Sequence, residues 1–310
     1  MIFNYFNDIG IAKMIKKIII SLSLIFTTLL LAAGWYFSSV ILQLSVEDCD
    51  QEHYVFCGDP STQNIKFENV SFTSADGLTL PGWYMASIDN NKAILLVHGR
   101  GADRTEGMRY AKPLIAAGYN VLAFDMRHPR QNPNIISTMS FHEKKDVSAA
   151  LDFLEKEKHI KNIGLMGFSM GAATGIIVMA KDKRVKVGVF SGGYANGMDV
   201  LAEQAKKLYG LPRYPLMPIV EKFFEWRGDL DADEINPEDY IGQISPRPVY
   251  IMHGTADQTV DFSHGQRLYA AAKQPKQFWQ AQGGRHTRLW QLDKQKAENS
   301  VVEFFDHYLK

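Results

Sequence analysis

The 310-residue chain has little cysteine and no surplus of charge of either sign. Its two cysteines, together with its histidines, show no metal-ligand spacing, so we expect neither a metal nor another cofactor. The 34 lysines and arginines are balanced by 34 aspartates and glutamates, which leaves no basic surplus to neutralise phosphates. These shortages argue against a metalloprotein and against nucleic acid as a partner.

Internal repeats and low-complexity tracts are also missing from the sequence. What is present is a composition that is 46% hydrophobic and 22% charged, which is typical of a globular protein. The length predicts one domain of roughly 250 residues with an appendage.

Charge is absent from one long stretch near the start of the chain. Residues 18–45 carry no charged side chain and are dense in Ile, Leu and Phe, and they follow Lys13, Lys16 and Lys17. A membrane-spanning helix needs about 20 apolar residues. We therefore predict a single transmembrane anchor over 18–45, with residues 1–17 as a cytoplasmic N-terminus.

A cleaved signal peptide is the main alternative for this stretch, since Leu31-Ala32-Ala33-Gly34 is similar to a cleavage site. The apolar run continues beyond Ala33 as far as Leu44, which favours an uncleaved anchor. In both cases the lysines precede the apolar run, so the remainder of the chain is expected on the extracytoplasmic side. Cleavage would release a secreted or periplasmic protein instead of a membrane protein.

The two cysteines, Cys49 and Cys57, fall in a predicted linker over residues 46–63. In an oxidising compartment they could close a small loop by a disulfide, which would stabilise it by roughly 2–3 kcal/mol. The alternative is two free thiols on the linker.

From residue 64 to the end, short apolar runs alternate with helical patterns. An antiparallel hairpin over 67–84 is followed by strand–helix units, which indicates an α/β fold with a mostly parallel sheet covered by helices on both faces. This rhythm stops at about 192–245, which is too long for an ordinary connection and predicts an inserted helical cap. The last element is predicted as one helix from about Leu289 to Leu309.

The motif Gly167-Phe168-Ser169-Met170-Gly171 lies between a predicted strand and a predicted helix. Strand, Gly-x-Ser-x-Gly and helix together form a nucleophile elbow. A serine hydroxyl is a weak nucleophile without a base and a group that orients the base. Asp257 and His286 follow two later predicted strands, so the order is serine, aspartate, histidine.

Each of these residues also has a simpler explanation. The pentapeptide alone can arise by chance, and Asp257 could be only a helix N-cap. Asp125 is a rival acid because it too follows a predicted strand, although it precedes the serine in the chain. His98 is expected to shape a turn and not to act as a base.

From about Phe67 onwards the chain resembles the alpha/beta-hydrolase superfamily, and most closely its Bem46-type serine hydrolases and related bacterial esterases. The resemblance covers roughly three quarters of the chain. The segments that carry it are Ser74-Ala75-Asp76-Gly77-Leu78, Gly82-Trp83-Tyr84, His98-Gly99, the run from Gly118 to Asp125, the pentapeptide around Ser169, His253-Gly254-Thr255-Ala256-Asp257 and Gly284-Arg285-His286.

The resemblance implies a serine hydrolase of the carboxylesterase or lipase type (EC 3.1.1) acting on a small-molecule ester or lipid. Ser169 would be the nucleophile, His286 the base and then the acid, and Asp257 the residue that orients His286. The backbone N–H groups of Met170 and Arg100 would form the oxyanion hole. The alternatives are a peptidase of the prolyl-oligopeptidase type and a non-catalytic binding module with the same fold.

One segment departs from the pattern of the superfamily. After Asp125 this chain has Met126-Arg127-His128-Pro129-Arg130, where many relatives have an Arg-Gly-x-Gly-x-Ser loop. Because that loop often borders the acyl pocket in relatives, their substrate preferences do not transfer to this chain.

Overall fold

The computed structural model describes residues 2–45, 48–88, 91–130 and 132–310, with side chains from residue 11. Residues 1, 46 and 47, which begin the predicted cytoplasmic and linker segments, lie outside this description. The described residues form one eight-stranded sheet in the order β1-β2-β4-β3-β5-β6-β7-β8. Its strands are β1 (Glu68–Thr73), β2 (Thr79–Met85), β3 (Lys92–Val97), β4 (Asn120–Phe124), β5 (Asn162–Phe168), β6 (Val185–Ser191), β7 (Val249–Gly254) and β8 (Lys276–Ala281).

Strand β2 pairs antiparallel with both β1 and β4, and all other neighbouring strands are parallel. The predicted α/β class with a mostly parallel sheet is therefore confirmed. The helices are α1 (Ile2–Leu42), α2 (Gln51–Tyr54), α3 (Met108–Ala116), α4 (Glu143–Lys156), α5 (Met170–Lys181), α6 (Gly197–Tyr209), α7 (Leu216–Gly228), α8 (Pro237–Ile241), α9 (Phe262–Ala271), α10 (Leu289–Leu292) and α11 (Lys294–Tyr308), with short 3-10 helices at Pro60–Gln63 and Ala232–Ile235.

The central strands read as continuous apolar runs because both faces of the sheet are buried. Alternate residues of β3 point to opposite faces: Leu95 joins one core cluster and Ile94 joins the other. Helices α4 and α5 cover the first face, and helices α3 and α11 cover the second. The carboxyl ends of the parallel strands consequently meet at one edge of the sheet, where sites in such folds are built.

The end of the chain corrects one prediction, because the segment 289–309 is not one helix. Helix α10 stops at Leu292, and Asp293 has a non-helical backbone conformation (φ −152°, ψ 87°) before α11 begins. The Asp293 carboxylate accepts the N–H of Lys296, so it caps the second helix. A capping aspartate therefore divides a segment whose pattern predicts one continuous helix.

Helix α1 is apolar and long enough to cross a membrane from Ile11 to Leu42, and residues 11–29 are exposed along it. Its last turns contact the domain. The Trp35 ring lies 5.8 Å from that of Phe223 and 6.1 Å from that of Trp226, both on α7. The Arg227 guanidinium donates to the Trp35 carbonyl and stacks 4.0 Å from its ring centroid.

The segment between α1 and β1 packs against the domain. A disulfide joins Cys49 to Cys57 and encloses α2. Tyr54 within this loop is buried, and the His53 carbonyl accepts a hydrogen bond from Arg109. The region predicted as a linker is therefore held against the α/β domain.

Candidate active site

Ser169 stands at the sharp turn between β5 and α5. Its φ of 50° and ψ of −119° are rarely adopted by a residue with a side chain. The N–H of Ser169 donates to the Ser191 carbonyl at the end of neighbouring β6 (2.9 Å), and this bond holds the turn in place. The hydroxyl consequently projects from the carboxyl edge of the sheet.

The two glycines of the motif are required by close packing. A Cβ added to Gly167 would overlap the Gly171 carbonyl, and a Cβ added to Gly171 would overlap the Val97 carbonyl. Since both obstacles are backbone atoms, they could not move aside as a flexible side chain could. The glycines therefore let α5 pack directly on β5 and β3.

The structure brings Ser169, His286 and Asp257 together in one hydrogen-bonded chain. The His286 Nε2 lies 2.9 Å from the Ser169 Oγ, and its Nδ1 lies 2.7 Å from the Asp257 Oδ2. An ionised carboxylate can only accept, so it fixes the proton on Nδ1 and leaves Nε2 free to accept the serine proton. The arrangement suits the removal of a proton from Ser169.

The Asp257 carboxylate is held by several donors. Its Oδ1 accepts the N–H groups of Thr259 (2.8 Å) and Val260 (2.9 Å), and His253 lies 3.4 Å from its Oδ2. Burial would raise the pKa of Asp257, but His253, His286 and these backbone donors outweigh burial and hold the pKa well below its usual value. The carboxylate is therefore ionised beside His286. The N-cap of α9 is Asp261, so capping does not account for Asp257.

The predicted oxyanion-hole residues both line the cavity in front of Ser169. Met170 is the first residue of α5, where backbone N–H groups have no partner within the helix. The loop after β3 passes close by, since a Cβ on Gly99 would lie 3.1 Å from the Ser169 Cβ. Arg100 follows in this loop, and its guanidinium donates to the Ile41 and Gln43 carbonyls of the N-terminal segment. Oxyanion binding by these two N–H groups stays a prediction.

Two buried polar residues fix that loop. The Glu106 carboxylate accepts the N–H of Gly99 (2.6 Å), and Arg109 lies beside it. His98 Nδ1 donates to the Gly99 carbonyl, and its Nε2 accepts the N–H of Met126. His98 thus shapes the turn, as expected. The sequence does not predict this role of Glu106, because a glutamate before a helix is normally a solvated surface residue.

Ser169 and His286 open onto a cavity of about 1190 Å³. The apolar wall of the cavity comes mainly from α6 and α7. Residues of the predicted anchor and of the predicted linker also line the cavity. Three come from the predicted anchor, and His53 comes from the predicted linker, where it also bonds Thr287 beside His286. The three anchor residues are Phe37, Val40 and Ile41. Among the described residues, no group of three or more His, Cys, Asp or Glu could hold a metal ion.

The rival acid and the segment after it lie elsewhere. Asp125 accepts the N–H of Arg104 and borders a separate cavity of about 390 Å³. Of the described residues lining the large cavity, none comes from 126–130. Arg127 is instead buried and makes two bonds to Asp146 (2.9 and 2.8 Å) and one to Asp76 (3.1 Å). The unusual segment after Asp125 therefore braces the domain and does not line the large cavity.

Replacing Arg127 with alanine is expected to lower the free energy of unfolding by about 3–5 kcal/mol, because it leaves Asp146 buried without its cation. Burial raises the pKa of Asp146 and Arg127 opposes that rise, so the variant would favour the protonated carboxyl. Chemical denaturation measures the loss. Lys156→Ala is the matched control: it removes an exposed ion pair with Asp152 and should cost at most about 1 kcal/mol. Equal losses in the two variants would contradict the bracing role.

Comparison with known proteins agrees with this architecture. The family model described as alpha/beta hydrolase fold matches residues 92–214. The uncharacterized protein YqkD of Bacillus subtilis is 27% identical in an alignment of 303 positions that covers 94% of this chain and 98% of that protein. The uncharacterized protein YfhR of Escherichia coli K12 is 24% identical over 71% of this chain and 73% of its own.

Solved structures show the same fold. The esterase Pf2001 of Pyrococcus furiosus superposes with a TM-score of 0.68 at 24% identity, covering 87% of this chain and all of that one. The hypothetical protein PA2218 of Pseudomonas aeruginosa gives 0.60 at 21% identity, covering 86% of this chain and all of the other. The family model and the solved structures together show that the chain has the alpha/beta-hydrolase fold. Its assignment to the Bem46-type branch stays a prediction.

Proposed function

We propose that this protein is a serine hydrolase that cleaves a carboxylic or lipid-like ester through an acyl-enzyme intermediate. The observation that carries the proposal is the hydrogen-bonded chain from Ser169 through His286 to Asp257, at the edge of a cavity with an apolar wall from α6 and α7. The esterase Pf2001, with the same fold, is consistent with this reaction class.

In the first half of the reaction, the Ser169 Oγ attacks the ester carbonyl carbon while His286 Nε2 takes the hydroxyl proton. The carbonyl oxygen becomes an oxyanion, which the N–H groups of Met170 and Arg100 would bind. Removing one such donor from a serine hydrolase typically costs about 3–4 kcal/mol of transition-state stabilisation. The intermediate then collapses, the bond to the alcohol oxygen breaks, and His286 gives its proton to the departing alcohol.

In the second half, a water molecule replaces the alcohol. His286 Nε2 takes a proton from this water, whose oxygen attacks the acyl carbon of the serine ester. Collapse of the second intermediate breaks the bond to Ser169 Oγ and returns the proton to the serine. Asp257 stays ionised throughout and stabilises the imidazolium that forms twice in each cycle.

We also propose that α1 anchors the enzyme as a single membrane-spanning helix, with the domain outside the cytoplasm and the insertion at about 192–245 acting as its cap. Lys17 and Trp35 are separated by 18 residues, or about 27 Å of helix, which matches a hydrocarbon core of about 30 Å. Trp35 and Tyr36 would lie at the interface, where aromatic residues are enriched, and the lysines would face the cytoplasm.

A charged, membrane-impermeant fluorophosphonate tests both proposals. We expect it to label the full-length protein in spheroplasts as well as in lysed cells, and we expect Ser169→Ala to abolish labelling in both. Absence of labelling in lysed cells would indicate a non-catalytic binding module. Labelling only after lysis would place the domain in the cytoplasm and reverse the proposed orientation.

A further inference from the structure

The wall of the Ser169 cavity is built jointly by the proposed anchor and the cap. Phe37, Val40 and Ile41 of α1 face the cavity together with residues of α6 and α7. The two parts are in direct contact, because the Phe37 ring lies 5.3 Å from that of Tyr209 at the end of α6. The helix that would cross the membrane therefore also forms part of the substrate site.

The cavity lies close to the proposed membrane surface. Trp35, which would mark the interface, precedes Ile41 by six residues, so the helix advances only about 9 Å between them. Trp226 of α7 packs on Trp35 and is 70% exposed, which places the cap at the same level. An acyl chain leaving the hydrocarbon core would therefore have a short path to the cavity.

Exposed apolar side chains from α1 and α6 lie at the edge of the cavity. Val40 on α1 is 38% exposed, and Leu208 at the end of α6 is 66% exposed, although both line the cavity. Exposed apolar side chains at a cavity mouth are costly in water but favourable against lipid. Polar residues also line the cavity: Gln204 lies on α6, Arg100 donates to the Ile41 carbonyl, and others lie on the His53 segment and on the loop with Arg285 and His286.

We propose that the substrate is a long-chain acyl ester resident in the membrane, which enters between α1 and α6 without passing through water. This inference rests on the serine-hydrolase function proposed above. The acyl chain would lie against Val40 and Leu208 with the ester carbonyl at Ser169. The alcohol part would lie among the polar residues near His286.

The test uses full-length protein in phosphatidylcholine vesicles and two esters with the same leaving group, 4-methylumbelliferyl oleate and butyrate. Val40→Trp and Leu208→Trp should each lower the ratio of oleate to butyrate kcat/KM by about 10-fold. The expectation follows because each excluded methylene weakens binding about fourfold. Leu29→Trp is the matched control: Leu29 lies three turns earlier on the same face of α1, and the ratio should not change.

Initial rates distinguish the source of the ester. Oleate ester loaded into the enzyme's own vesicles should be cleaved at least about 10-fold faster than the same ester in separate vesicles. Equal rates would show delivery through water and overturn the proposed entry route.

If both cavity variants react normally with the fluorophosphonate and keep the wild-type ratio, the acyl site is wrong while the hydrolase function stands. If the wild type cleaves neither ester and does not react with the fluorophosphonate, the proposed function fails first.

Discussion

Replacing Ser169 with alanine is expected to lower kcat for 4-methylumbelliferyl butyrate by about 10⁵–10⁶-fold. The variant keeps the cavity but has no oxygen that can form the acyl-enzyme. The activity that remains should come from substrate binding and oxyanion stabilisation of direct attack by water. Steady-state fluorescence of the released umbelliferone measures the change.

The control for this variant is Ser148→Ala. Ser148 lies on α4, where its hydroxyl donates to the Lys144 carbonyl of its own helix. Its replacement should leave kcat unchanged. If Ser169→Ala retained more than about a hundredth of the wild-type kcat, Ser169 would not be the nucleophile and the acyl-enzyme mechanism would be wrong.

Replacing Asp257 with asparagine is expected to lower kcat by about 10⁴-fold at neutral pH. A neutral amide can place its N–H₂ group against His286 Nδ1, which then has to accept a hydrogen bond. The imidazole proton would move to Nε2, which faces the Ser169 hydroxyl. A protonated Nε2 cannot accept the proton of that hydroxyl. The imidazolium would also lose its stabilising charge, so kcat should fall far more than KM changes.

Asp261→Asn provides a control four residues away in the same loop. Its carboxylate caps α9 by accepting the N–H of Ser263, and asparagine caps a helix about as well as aspartate. We expect wild-type kcat for that variant. A similar loss in both variants would mean that the loop needs negative charge in general. Wild-type activity in Asp257→Asn would remove Asp257 from the mechanism.

The fold could be read from the sequence because its signals are local. The apolar run 93–97 predicts a strand buried on both faces and the run 119–124 predicts the next strand, and β3 and β4 lie there. The glycines around Ser169 predict the elbow for a similar reason, since a short turn between strand and helix has few solutions. The break at Asp293 was missed because helical periodicity continues across it, and only the cap geometry separates α10 from α11.

Other features depend on residues far apart in the chain. Arg127 forms ion pairs with Asp146 and Asp76, which lie far from it in the chain. The sequence therefore could not show whether Arg127 is a buried ion-pairing residue or a residue at the cavity mouth.

The sequence by itself determined the hydrolase fold, the elbow and the order in which Ser169, Asp257 and His286 occur. Only the tertiary structure decided the walls of the cavity, because contacts such as Trp35 with Phe223 bring together side chains with no pattern relating them along the chain. The residues of α1 form one apolar run in the sequence, whether their side chains face lipid, the cap or Ser169. Packing of α1 against α7 is what places Phe37, Val40 and Ile41 in the wall of the cavity that Ser169 also lines.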